Sequence, residues 1–404
     1  PSFLWLTVFQ VLTCLQLIVA EGPEASVVIP LAFLGLTAVM WLYAAILRAS
    51  RCVGFEMETI AFFLSTLCLA VTASSVSGSL FKQFAAIVLG LILFLVLGLF
   101  LRDLTRVRRN RWLMAAGAIG LLAFTLVFGH SKYGAVNWIS IGGLSFQPSE
   151  IAKLAVVIYF SDSISKRKGQ MRTFRYGILP YAMWLILLGG LVGVEPHLSG
   201  ALLIMGTGAA MMLVGGINWA WILGAVGAVG VMGYLVLFVV GYNTSRITSW
   251  LNPWADAQGS GWQLSQSLIT IGSGGLWGAG LGKSMQKFMY LPEEHNDFIF
   301  AIVCEELGFI GAAVIMALFA ALILRGYWIA LHARDRFGSL LVVGITTQMA
   351  MQTILNIGVV TGLLPTTGIS LPFFSYGGTA LSIQLAEMGI VLSVSRQMKP
   401  AKAG

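Results

Sequence analysis

Charged side chains are scarce in this chain. Asp, Glu, Lys and Arg make up 10% of its 404 residues, where a soluble domain carries about a quarter. That shortage excludes an ordinary solvated surface. Acids are scarcer than bases, 16 against 24, and no stretch offers a soluble basic face, which excludes a nucleic-acid patch. Cysteine is limited to four residues. Cys14, Cys68 and Cys304 lie inside apolar runs and Cys52 in a basic segment, so they read as reduced packing residues and not as a disulfide framework. The first apolar run, Phe3–Ala20, lacks the basic n-region of a secretory signal and is too long for an h-region, so it reads as a retained helix.

What is present is apolar. Hydrophobic residues form 58% of the chain, and mean hydropathy is +0.88. Runs such as Phe81–Leu101, "FKQFAAIVLGLILFLVLGLFL", reach the ~20 residues that cross a bilayer. The expected fold class is therefore an all-α polytopic membrane protein of about twelve transmembrane helices. The spans are read at Phe3–Ala20, Val27–Leu47, Glu58–Ser74, Phe81–Leu101, Trp112–Phe128, Glu150–Ser165, Tyr176–Val194, Ser199–Gly215, Trp219–Val240, Phe298–Leu324, Gly338–Thr361 and Tyr376–Ser395.

Charge orients them. With a cytoplasmic N-terminus, the inner segments are "LRASRC", "RDLTRVRRNR", "SKRKGQMRTFR", "RGYWIALHARDR" and the tail "SRQMKPAK", and they hold 18 of the chain's 24 Lys and Arg. The positive-inside rule selects this topology, so the net charge of +8 reports orientation. Residues 398–404 form a short cytoplasmic tail. The long connections Gly129–Ser149 and Gly241–Asp297, and the Gly/Pro-rich Gly362–Gly378, then face outside, which is where the non-helical polar sequence is concentrated.

The large outer loop, 241–297, carries "WLNPWADAQGSGWQLSQSLITIGSGG", in which Asp256 is the one acid. From Trp262 to Ile271, Gln263, Gln266, Ser267 and Thr270 share one side of a helix, and Leu264, Leu268 and Ile271 another. That pattern suits a short amphipathic helix, lying at the interface or folded back into the mouth of the bundle. Trp250, Trp254, Trp262 and Trp277 would hold it at headgroup depth, and the glycines at 272, 274, 275, 278, 280 and 282 supply a flexible, close-approach backbone. A lid that only caps the bundle is the plainer reading. Arg246, Lys283 and Lys287 run against the charge bias and suit an anionic group such as a lipid pyrophosphate, with snorkelling to lipid phosphates as the alternative. Glu293, Glu294, His295 and Asp297 crowd the next span. A divalent cation there is left open, since acids at a helix start also follow from the dipole.

A second constellation is "SFQPSEIAKLAVV". Gln147 and Ser149 flank Pro148, and Glu150 and Lys153, three apart, share a helix face and can pair. Charge at membrane depth points to a functional site, or to an ion pair that bolts helices together. Glu195 sits in the tight outer turn "EPHLSG", and Glu305, Glu306 and Glu387, within helices, are expected to face the interior.

Three blocks, "NWISIGGLSFQPSEIAKL", "NPWADAQGSGWQLSQSLITIGSGGLWGAGLGKSMQKFMYLPEEHNDFIFAIVCEELG" and "GLLPTTGISLPFFSYGGTAL", resemble the SEDS family, which includes RodA, FtsW and SpoVE. The likeness covers Glu58 to Gln397, and "QKFMYLPEEHNDF" reads closer to the division and sporulation members. It implies a ten-helix core at 56–397, with residues 1–50 as two additional N-terminal helices. It implies polymerisation of lipid II into glycan strands on the outer face of the cytoplasmic membrane, beside a class b penicillin-binding transpeptidase. By resemblance the family's loop acid falls on Asp256, and its motif Glu and Lys on Glu150 and Lys153. Gln147, Ser149, Ser370 and Ser375 from the same blocks, with Arg246, Lys283 and Lys287, complete the candidate substrate-binding set. Two positions depart from the pattern: His197 stands where an acid is usual, and Asn137 where a base is common.

The implied reaction joins a sugar C4 hydroxyl to the anomeric carbon of a second lipid-linked disaccharide, with inversion. A carboxylate can take the hydroxyl proton, a role worth about 10²–10⁴-fold. Pyrophosphate leaves readily and needs positive charge instead of a second acid. The competing readings are a flippase or transporter of the lipid-linked precursor, which would favour inverted repeats, and a non-catalytic scaffold, in which Asp256 would tolerate substitution.

Overall fold

The computed structural model describes residues 2–22, 26–50, 56–75, 78, 80–100, 105–132, 135–141, 144–167, 169–194, 198–234, 244–285, 297–374 and 379–398. Helices dominate it. In chain order they are α1 (Ser2–Glu21), α2 (Val28–Ala49), α3 (Glu56–Ser75), α4 (Leu80–Phe100), α5 (Thr105–Arg109), α6 (Arg111–Phe128), α7 (Pro148–Lys166), α8 (Leu179–Val194), α9 (Leu198–Gly215), α10 (Trp219–Tyr234), α11 (Thr244–Leu251), α12 (Trp262–Ser273), α13 (Ile299–His332), α14 (Arg336–Val360) and α15 (Thr379–Arg396). All but α5, α11 and α12 coincide with the twelve expected spans.

Seven helical stretches are long and apolar enough to cross a membrane, and α6, α9 and α10 are shorter apolar helices. The remaining two, α7 and α15, carry buried charge: Glu150, Lys153 and Asp162 on α7, and Glu387 on α15. Neither could present such groups to hydrocarbon, and both are enclosed. α7 packs against α6, α9 and α14, and α15 against α4 and α14. The chain is an integral membrane protein. α1 and α2 are joined to the rest by polar contacts: Gln10 Nε2 donates to Thr66 Oγ1 at 3.1 Å, and Thr37 Oγ1 donates to Gln10 Oε1 at 2.8 Å. Phe9 stacks on Phe63 at 4.5 Å. Cys14, Cys68 and Cys304 are buried free thiols, as expected.

The first long connection holds an element the sequence reading lacked. β1 (His130–Lys132), β2 (Ala135–Ile141) and β3 (Leu144–Phe146) form a small antiparallel sheet in the order β1-β2-β3. Ser140 faces Ser145 across β2 and β3, and a register shift interrupts β1 and β2 at His130/Ser131. The sheet delivers the chain directly into α7, where Pro148 occupies the first helical turn with no amide hydrogen to leave unpaired.

α13 is broken. Gly308 has φ 67 and ψ −172 inside an otherwise continuous helix, a conformation that costs a side-chain-bearing residue dearly. The break frees backbone groups, and residues 275–280 bind them. Ala279 and Gly280 amides donate to the Glu305 and Glu306 carbonyls, each at 2.9 Å. Phe309 and Ile310 amides donate back to Gly275 and Leu276 at 2.9 and 3.3 Å. Gly278 is needed because a Cβ there would collide with the Glu306 carbonyl. The glycines expected to be flexible are therefore locked; the close approach was expected correctly.

Candidate active site

The N-terminal end of α7 builds the first half of the site. Glu150 lies in the first turn, where the helix dipole favours an anion. Lys153 sits on the same face, and its Nζ is 2.8 Å from Glu150 Oε1. Both are buried, as are Gln147 and Ser149. Val157 packs on Gly344, four residues before Gln348 on α14. Gln348 Nε2 donates to both carboxylate oxygens of buried Glu387, at 3.1 and 3.4 Å, and Glu387 lies within electrostatic range of Lys153 and Glu150. A second buried carboxylate thus stands near the Lys153–Glu150 pair. Ser149 Oγ, Glu150 Oε2 and Gln348 Oε1 are buried with no partner. An enclosed cluster with spare acceptors suits a ligand that brings hydroxyl or amide donors.

The connection 244–285 builds the other half. Arg246, exposed on α11, donates to the Thr366 carbonyl at 3.3 Å, and Trp250 Nε1 to that of Gly362 at 3.0 Å, tying α11 to the segment that follows α14. A single turn, Pro253–Asp256, is anchored by buried Pro253 and presents Asp256 to solvent. Asp256 Oδ2 accepts the Ser260 amide at 2.7 Å and the Ser260 hydroxyl at 3.1 Å. These two bonds, the amide first, hold the Asp256 carboxyl below the usual aspartate range. Gly259 permits the turn, since a Cβ there would run into the Asp256 carboxylate.

α12 folds back onto the bundle, packing on α13 and α14. Its Ser267 and Thr270 point inward, and Ser267 Oγ donates to the Val360 carbonyl at 2.8 Å. Beyond it, Ser284 Oγ donates to Glu305, and Met285 N reaches Glu305 Oε1 at 3.1 Å. Glu306 Oε1 accepts Ser74 Oγ from α3 at 2.6 Å. Glu305, Glu306 and Glu387 all face the interior, as expected.

The two halves meet α14 at different levels. Gln348 precedes Val360 by twelve residues, about 18 Å of helix, and it is Val360 that holds α12. Among the described residues no cation pairs with Asp256. Lys283 is exposed. Ser370 is half-buried, and its carbonyl accepts Gln352 Nε2 at 3.0 Å. Lys287, Ser375, Glu195, His197, Glu293, Glu294 and His295 lie outside the described residues, as does the Asn137 side chain. Among the described residues no three His, Cys, Asp or Glu side chains gather to hold a metal ion. Sequence reasoning missed Gln348, although the rule applied to membrane-depth acids extends to a glutamine in an apolar helix.

The model of the FtsW/RodA/SpoVE family, described as cell cycle protein, matches residues 52–400. The chain belongs to this family. Stage V sporulation protein E of Bacillus subtilis is 45% identical over 280 residues, which span 68% of this chain and 76% of that protein. A probable peptidoglycan glycosyltransferase FtsW of Geobacter metallireducens is 42% identical over 279 residues, 69% of this chain and 74% of that one. Among solved structures, a chain of a peptidoglycan synthase complex aligns with TM-score 0.74 at 27% identity, over 85% of this chain and 97% of that one. RodA of Thermus thermophilus aligns with TM-score 0.66 at 27% identity, over 86% and 98%. The family match begins after α2, so the first two helices lie outside it.

Proposed function

We propose that the chain is a peptidoglycan glycosyltransferase that polymerises lipid II into β-1,4 glycan strands, in division or sporulation. The observation that carries this reading is the buried Lys153–Glu150 pair at the head of α7, set in an FtsW/RodA/SpoVE chain. In the proposed reaction Asp256 takes the proton of the acceptor's C4 hydroxyl. The oxygen bonds to the donor's anomeric carbon from the face opposite the leaving group. The anomeric carbon–oxygen bond breaks, and its electron pair departs with polyprenyl pyrophosphate. In this reading Lys153, steadied by Glu150, is assigned to that developing charge, and Arg246, Lys283 and Lys287 draw the anionic headgroups to the loop. Both groups must lie within a few ångströms of one anomeric carbon, so the reaction requires the 244–285 connection to carry exposed Asp256 toward buried Lys153 when substrate binds.

The end bearing the long connections faces outside in this reading, and both termini are cytoplasmic. A class b penicillin-binding transpeptidase is the proposed partner, supported by the likeness to a chain of a synthase complex. For the divalent cation left open by the sequence, the described residues offer no ligand group, and no residue is assigned to it.

The test is labelled lipid II incubated with the purified protein, with and without the transpeptidase. A ladder of uncrosslinked strands is expected from the native chain and none from Asp256→Ala, with the melting temperature unchanged. A full ladder from Asp256→Ala would remove the base role. Movement of lipid II between leaflets without any ladder would favour precursor transport, for which the enclosed Glu150–Lys153–Glu387 cluster is equally suited.

A further inference from the structure

The most crowded set of charges lies away from the proposed site, at the other end of α7. Asp162 is fully buried and accepts three cations. Arg108 Nε from α5 reaches Oδ1 at 2.5 Å, Arg111 from α6 reaches Oδ2 at 2.6 Å, and Lys166 Nζ reaches Oδ2 at 2.8 Å. One carboxylate thus leaves two positive charges in excess. Both its oxygens are occupied, while each guanidinium keeps donors beyond the one it spends. Asp162 also lines a notch of about 110 Å³, together with Arg111, Trp112, Tyr159, Ser163, Lys166 and Arg167, so three cations surround the one carboxylate there. The notch is far above the ~15 Å³ that admits one water. Arg167 adds another cation and donates to the Tyr176 carbonyl, at 3.0 Å.

The surroundings mark headgroup depth. Trp112 is half exposed and meets Tyr159 at 5.1 Å, and exposed Phe174, Tyr176 and Trp221 stand nearby on the same end. Interfacial aromatics beside excess Arg and Lys, in a cleft between helices, are what a lipid phosphate requires: planar donors for its oxygens and rings for its glycerol and upper chain. The basic segments that orient the chain therefore do more than orient it.

We propose that this notch between α6 and α7 binds the phosphate of one anionic phospholipid. The cytoplasmic leaflet as its source rests on the proposed orientation; the binding does not. The experiment is native mass spectrometry of the purified full chain, with phosphatidylglycerol and phosphatidylcholine of matched chains added in equal amounts. One phosphatidylglycerol per chain is expected to survive, with phosphatidylcholine lost. Lys166→Gln with Arg167→Gln should reduce that occupancy at least tenfold, leaving Asp162 its two arginines. Arg167→Gln alone, which touches no part of Asp162, should weaken it several-fold and keeps the test valid where the double variant fails to fold. Lys82→Gln, an exposed cation elsewhere, should change nothing. Equal retention of both lipids, or full retention by the double variant, overturns the proposal. So does inorganic phosphate that stabilises the chain as strongly as the lipid and displaces it, which would make the notch a site for the free ion.

Discussion

Two donors from Ser260 hold the Asp256 carboxylate, so protons compete for it poorly until the pH falls below the ordinary aspartate value of about 3.9. With Asp256 as the base, the acidic limb of the kcat/KM profile should lie below that value, since the anion is the active form and a depressed pKa extends its range downward. Ser260→Ala removes the hydroxyl bond but not the amide bond, and should move the limb part of the way up. An unmoved limb would assign it to another group. At the head of α7, Lys153→Met leaves Glu150 and Glu387 buried with no cation, a loss of about 3–5 kcal/mol by analogy with other broken buried pairs. Glu150→Gln leaves Glu387 within range of Lys153 and should cost less; thermal melts of both variants check the order. The i,i+3 spacing made the Glu150–Lys153 pair legible in the sequence. Its neighbours were not, because the meeting of Gln348 and Glu387 with it depends on how α14 and α15 pack.

At the scale of elements, α13 and the segment before it behave as one unit. Gly308→Ala places a Cβ against the Gly278 amide and forces a left-handed conformation on an ordinary residue. The expected cost is roughly 2–4 kcal/mol from backbone strain and overpacking combined, read as a lower melting temperature and faster proteolysis within 274–285. The sequence showed the glycines but not their partner, since nothing in the composition of "CEELGFIG" distinguishes a broken helix from a whole one. The small sheet before α7 carried a readable signal in Val136, Ile139 and Ile141, β-branched residues in a short run. α1 reaches this region too: a Cβ on Gly282 would stand 2.8 Å from that of Ala20, so α1, outside the family match, still abuts the loop.

The whole molecule was the most legible scale. Long apolar runs yield the twelve helices, because a bilayer constrains length more strictly than water does, and the asymmetric placement of Lys and Arg proposes an orientation. The orientation can be checked with a membrane-impermeant maleimide. Ser273→Cys, on an exposed residue of α12, should label in intact cells, and Arg334→Cys, exposed between α13 and α14, only after permeabilisation. The reverse pattern would invert the topology. The depth of the catalytic arrangement was less legible, since Asp256 and Lys153 were expected around one centre and instead lie at the surface and in the interior.

The interruption at Gly308 also constrains biogenesis. Peptide groups laid bare in hydrocarbon are not tolerated, and among the described residues those of Glu305, Glu306, Phe309 and Ile310 find their partners in residues 275–280. Those residues leave the ribosome first, so the insertion machinery must keep the emerging hairpin together and release it into lipid as a finished pair. A nascent chain truncated after residue 332 should already contain that pair, and one lacking 275–280 should be handed to quality control.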